Sequence, residues 1–120
     1  VASNLFGDIL TDLGAAIQGG IGISPSANIN PERKYPSMFE PIHGSAPDIA
    51  GKGIANPTGT IWSIVLMLEH LNLPAEASLL MAAMSKVLRE RKVRTPDLGG
   101  KATTTEVVDA IIGEIINLQR

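Results

Sequence analysis

The stretch from Glu40 to Asn56, EPIHGSAPDIAGKGIAN, constrains this chain more than any other. It places three Gly, two Pro, one His and one Asp within seventeen residues. No helical or strand period runs through it, so it predicts a long ordered loop. A loop of that length in a compact domain is either functional or disordered. Its few charges and interleaved apolar residues argue against disorder. Small residues let a ligand approach the backbone, and Pro limits how far the loop can wander. Asp48 adds a carboxylate able to accept hydrogen bonds from a sugar diol. Two readings follow from these residues alone: a clamp for an adenine dinucleotide, or a structural Gly/Pro connection.

The rest of the chain must support that loop. Its 120 residues fit one domain, and 44% are hydrophobic, enough for a core. Aromatics are only 3%, so the core is expected to be aliphatic. The formal net charge is −2 and there is no basic block, which argues against a nucleic-acid surface. The absence of Cys excludes disulfides and thiolate metal sites, and it fits a reducing, cytoplasmic compartment. No apolar run reaches membrane-spanning length, and no signal peptide is visible. The opening VASN resembles the end of a buried strand, so the chain is expected to be part of a longer protein.

In chain order, Leu5, Ile9, Leu13, Ala16 and Ile17 recur at helical spacing, predicting a helix from about Gly7 or Asp8 that ends at Gly19, Gly20 and Gly22. Asp8 and Asp12 lie one turn apart on one face. Like charges at that spacing destabilise a bare helix by about 0.2–0.5 kcal/mol. A bridging hard cation such as Mg2+ or Mn2+ would remove the cost. The ordinary alternative is a helix N-terminal charge at Asp8 and a solvated side chain at Asp12.

Ile21 to Ile29 reads as a strand interrupted at Pro25, and Asn30 to Tyr35 as an exposed tip. A lone His such as His43 is more often structural than catalytic. Its place before small residues also allows a backbone-facing or nucleotide-stacking role. A helix is expected from Thr58, with Thr58 as its cap, to about Leu71. It is apolar nearly all round, so it should pack on both sides. Its N-terminus points free amides at the preceding loop, which suits a pyrophosphate, although every helix has such an end. A second helix is expected from Ala75 to Arg91 and a last one capped within Thr103 to Thr105, with the turn-rich RTPDLGGKA between them.

Two motifs then carry a resemblance. NLFGDILTD at Asn4 to Asp12, followed by FEPIHGSAPDIAGK at Phe39 to Lys52 and Ala55-Asn56-Pro57, closely resembles the β-decarboxylating dehydrogenases. That family includes isocitrate, isopropylmalate, homoisocitrate, tartrate and D-malate dehydrogenases. The resemblance implies an α/β fold of the isocitrate/isopropylmalate dehydrogenase type, of which this chain is roughly the C-terminal third. Residues 1–20 would end the inner, dimer-forming domain, and residues 21–120 would complete the NAD-binding domain.

Residue by residue, the resemblance implies that Asp8 and Asp12 hold the catalytic Mg2+ or Mn2+, with a third carboxylate from the other subunit of a homodimer. His43, Gly44, Ser45, Ala46, Pro47, Asp48, Ile49 and Asn56 would contact the coenzyme, Asp48 at the adenosine ribose and Asn56 at the adenine. NADP-using members resemble one another in having Lys-Tyr where Asp48-Ile49 stand, and an Arg where Gly100 falls. An Asp repels a 2′-phosphate, so NAD is expected. The family's catalytic Lys and Tyr and its substrate-binding arginines lie upstream, and Lys34, Lys52, Lys86 and Tyr35 do not match them. The implied reaction is oxidation and β-decarboxylation of a small 2-hydroxy acid. ERKYPSMFEP, Trp62 and TPDLGG look most like the tartrate/D-malate branch, with isopropylmalate or isocitrate next. A reading of another class is a non-catalytic nucleotide-binding or assembly fragment.

Overall fold

The computed structural model describes residues 3–120, so the strand end expected in VASN lies largely outside the described residues. The elements run α1 (Asn4–Gln18), β1 (Pro25–Asn28), β2 (Met38–Pro41), α2 (Thr58–His70), α3 (Pro74–Glu90) and α4 (Thr104–Leu118). Two short 3-10 turns, Pro47–Ile49 and Pro96–Leu98, interrupt the connections on either side of α2 and α3.

The layers stack in a simple order. The antiparallel β1–β2 ribbon packs on α2, α2 on α3, and α3 on α4. This explains why α2 is apolar round most of its circumference: it is covered from two sides. Its approach to the ribbon is close. A Cβ at Gly59 would lie 3.1 Å from the Ser24 carbonyl and 3.3 Å from the Pro41 Cβ. Ser63 Oγ lies 2.7 Å from the Glu40 carbonyl and 2.9 Å from that of Gly59, tying the helix to β2. On its other side the core is aliphatic. Ala83, Met84 and Val87 of α3 meet Val107 and Ile111 of α4, with Ile61 and Trp62 of α2 packed against them.

Several boundaries differ from expectation for identifiable reasons. The first helix begins at Asn4, a turn earlier than the apolar spacing alone required. It ends as expected, at Gly19 with φ 119°, a conformation open to Gly. The strand expected over residues 21–29 is only Pro25–Asn28, paired from Pro25 opposite Pro41 to Asn28 opposite Met38. Both Pro residues sit at the end of a two-stranded ribbon, where a missing donor is tolerated. Thr58 is not the cap of α2. Asn56, two residues earlier, does that work: its Oδ1 accepts from the Thr58 N–H at 3.0 Å.

The helix α1 stands apart. It packs against no other helix or strand among the described residues. Of its side chains only Ala15 is buried, while Leu5, Phe6, Leu10 and Leu13 are all more than half exposed.

Candidate functional site

The Glu40–Asn56 segment is ordered by its own backbone bonds. Ala46 sits in the left-handed region at φ 43°, an uncommon and strained place for a residue with a Cβ. The 3-10 turn that follows is closed by Ile49 N–H donating to the Ala46 carbonyl at 3.0 Å and Lys52 N–H to the Ile49 carbonyl at 3.1 Å. Gly51 and Gly53 continue with φ 75° and 64°. The far end of the loop is strapped to the start of α4. Thr104 N–H donates to the Gly53 carbonyl at 2.8 Å, and the Thr104 hydroxyl donates to the Ala55 carbonyl.

The start of α4 is itself firmly held. Thr103 Oγ1 accepts from the Glu106 N–H at 3.2 Å, and the Glu106 carboxylate accepts from the Thr103 N–H at 2.7 Å. This reciprocal capping satisfies two end groups at once. The Thr103 N–H, and then its hydroxyl, hold the Glu106 carboxyl below the usual carboxylate range. The loop therefore hangs from a rigid helix end.

Between the loop and the Pro96–Leu98 turn lies a cavity of about 710 Å3. That volume is within the range of small-molecule and cofactor sites. His43, Gly44, Ser45, Ala46, Ile49 and Asn56 line it, and they are all among the residues expected to meet a coenzyme. Pro47 and Asp48 do not line it; Asp48 is exposed on the 3-10 turn beside it. The His43 Nδ1 lies 3.1 Å from the carbonyl of Gly44. Among the described residues no Lys or Arg lines the cavity, and the ionisable side chains on it are His43 and Asp97.

The start of α2, expected to suit a pyrophosphate, does not line this cavity. Thr58 and Gly59 are buried against the ribbon, neither lines the cavity, and the Thr58 N–H is taken by Asn56. Sequence reasoning also missed part of the wall. Gly22, Pro96, Asp97 and Thr104, from outside the loop, are part of it, and the loop's own Ala50, Gly51, Gly53, Ile54 and Ala55 fill the rest. The signal available was TPDLGG, which drew attention through Gly100 and through its likeness to the tartrate/D-malate branch but not through Asp97. Asp97 lies 41 residues from Asn56, and only folding brings them to 2.8 Å, Nδ2 to Oδ2.

Asp8 and Asp12 lie on α1, exposed and with no salt bridge among the described residues. Thr11 Oγ1 donates to the Asp8 backbone carbonyl at 3.0 Å rather than to either carboxylate. As a donor set they fit a hard divalent cation, but only in part. No group of three candidate ligands occurs among the described residues, so other ligands must complete such a site. Lys34 pairs with Glu32 and Lys86 with Glu114, and Tyr35 lines a separate hollow beside His70.

With this geometry in hand, comparisons with known proteins are informative. The family model for isocitrate/isopropylmalate dehydrogenase matches residues 1–111. A probable tartrate dehydrogenase/decarboxylase of Bacillus subtilis is 54% identical over 118 residues, covering 98% of this chain and 33% of that protein. The D-malate dehydrogenase [decarboxylating] of Escherichia coli is 56% identical, covering 92% of this chain and 32% of that protein. The crystal structure of a β-decarboxylating dehydrogenase from Thermococcus kodakarensis superposes with a TM-score of 0.84 at 51% identity, over 97% of this chain and 33% of that one. The chain thus spans about one third of the length of the curated relatives it matches. Within that third, the chain forms a short ribbon and four helices. By sequence and by fold, this chain belongs to the isocitrate/isopropylmalate dehydrogenase family.

Proposed function

We propose that this chain is the coenzyme- and metal-binding C-terminal part of an NAD-dependent decarboxylating dehydrogenase acting on a small 2-hydroxy acid of the tartrate or D-malate kind. The observation that carries the reading is the cavity over the SAPDIAGKG loop, whose wall holds His43, Gly44, Ser45, Ala46, Ile49 and Asn56. Support for the substrate class comes from the tartrate and D-malate relatives. 3-Isopropylmalate and isocitrate are the next candidates.

In this reading the loop binds and orients the coenzyme. The small residues let the dinucleotide lie against the backbone, and the exposed Asp48 carboxylate accepts from the ribose hydroxyls. NAD is favoured over NADP for two reasons. No cation lines the cavity to meet a further phosphate, and Asp48 beside it repels one. Asp8 and Asp12 would hold Mg2+ or Mn2+. When bound, that cation supplies electrophilic stabilisation of negative charge on the substrate oxygen. Residues 1–20 would close the inner domain and residues 21–120 the NAD-binding domain. The packing supports this division, since α1 touches no other element while β1 to α4 form one stack. The exposed apolar face of α1 would be covered in a homodimer, whose second subunit also supplies the remaining metal carboxylate. No helix among the described residues is long and apolar enough to cross a membrane, which suits the cytoplasmic location we propose.

The test is direct. The full-length protein, with Mn2+ and NAD, is offered D-malate, tartrate or 3-isopropylmalate, and NADH and CO2 are measured. One of these acids should yield both products in equal amounts. The 120-residue chain alone should yield neither, because the proton-transferring Lys and Tyr implied by the family pattern lie outside it. Turnover by the chain alone, or no product from any of the acids, contradicts the proposal.

A further inference from the structure

Asn56 is held from both sides by partners that each permit only one orientation. Its Oδ1 accepts from the Thr58 N–H at 3.0 Å, and its Nδ2 donates to Asp97 Oδ2 at 2.8 Å. A backbone N–H can only donate, and an ionised carboxylate can only accept. Turning the amide over would set NH2 against N–H and oxygen against carboxylate. Asn56 is only 9% exposed and its bond to the Thr58 N–H is buried, so water cannot easily replace that bond; the bond to the exposed Asp97 is part-buried. The amide is therefore fixed, with one N–H and one lone pair unused. It stands on the wall of the coenzyme cavity, among Ile49, Ile54 and Ala55, a surface suited to the flat face of a heterocycle.

We propose that Asp97 is a positioning residue for base recognition in this cavity. Through its bond to Asn56 it sets which polar edge of that amide is offered to the ligand. An amide with a fixed donor and a fixed acceptor matches adenine, whose exocyclic amino group donates beside a ring nitrogen that accepts. Hypoxanthine carries an acceptor at the same place and would require the amide reversed. The inference rests on the proposed function, in that the coenzyme must occupy this cavity. It adds a reason for the cavity to prefer an adenine dinucleotide over its deaminated analogue.

The experiment is calorimetric titration of the full-length protein with NAD and with nicotinamide hypoxanthine dinucleotide. The unaltered protein should bind NAD more tightly than the analogue. Asp97→Ala should lose about five- to tenfold in NAD affinity, the scale of one typical hydrogen bond. It should also lose most of the preference for adenine. Asp97→Asn, whose carbonyl can still accept from Asn56, should recover most of both. If the Ala variant does not fold, Asp97→Ser carries the same expectation, since its side chain is too short to reach Asn56. A role in folding alone would lower thermal stability and leave the preference between the two dinucleotides intact, and that result overturns the proposal. If the unaltered protein binds neither dinucleotide, the proposed function fails first and the inference falls with it.

Discussion

At Gly100 an added Cβ would collide with the carbonyl of Arg94. The backbone folds back on itself there: Gly100 N–H donates to the Thr95 carbonyl at 3.0 Å, and Ala102 N–H to the Arg94 carbonyl at 2.8 Å. The obstacle is backbone, which cannot step aside as a side chain can. Gly100→Ala should therefore destabilise by about 1–3 kcal/mol or more, read as a lower urea midpoint at unchanged slope. Gly44→Ala is the control, because nothing lies within 4 Å of its Cβ position. Its stability should stay within about 0.5 kcal/mol of the parent. The same crowding means that an Arg at position 100 requires a differently built turn. In the proposed function, this backbone crowding would act beside the charge of Asp48 in favouring NAD over NADP.

Among the elements, α4 is anchored twice: by the Thr103–Glu106 capping box at its start and by Lys86 of α3 pairing with Glu114 along its length. Thr103→Ala should cost about 1 kcal/mol and loosen the strap that Thr104 places on the coenzyme loop. Lys86, and then Asn117, hold the Glu114 carboxyl below its usual range, and the Glu114 carboxylate in turn raises the Lys86 ammonium above its own. A carboxyl lowered on folding binds fewer protons in the folded state. Its stabilisation is complete above the unfolded value of about 4.3 and is lost as pH falls through the folded value. Lys86 acts in the opposite sense. Its share is complete below about pH 10.4 and is lost as pH rises through the raised value. Urea unfolding followed from roughly pH 3 to 6 should show a shallower acid loss for Glu114→Gln than for the parent.

The sequence made α2 and α3 legible as apolar segments of helical length, and α4 doubly so, because its Thr cap and its apolar spacing agree. It also made the loop legible, because Gly and Pro exclude other structures. It could not show that Asn56 caps α2, since Thr58 is an equally good cap by residue type. Nor could it show Asp97 on the cavity wall, because that contact closes across 41 residues.

For the whole molecule, the contrast between a packed stack and a bare helix matters most. Met84 is 2% exposed at the α3–α4 contact, so Met84→Ala should destabilise by about 2–5 kcal/mol in a thermal or urea melt. Leu10 and Leu13 are 62% and 58% exposed, and changing both to Gln should leave the stack intact while dissociating the proposed dimer of the full-length protein in sedimentation. The central claim is that Asp8 and Asp12 on this helix serve the coenzyme cavity of the stack through one cation. It is tested most directly by titrating Mn2+ into full-length Asp12→Asn while following NADH formation. The account predicts a much higher Mn2+ requirement together with a lower maximal turnover, and NAD affinity close to the parent's. A Mn2+ titration and turnover that match the parent would contradict it.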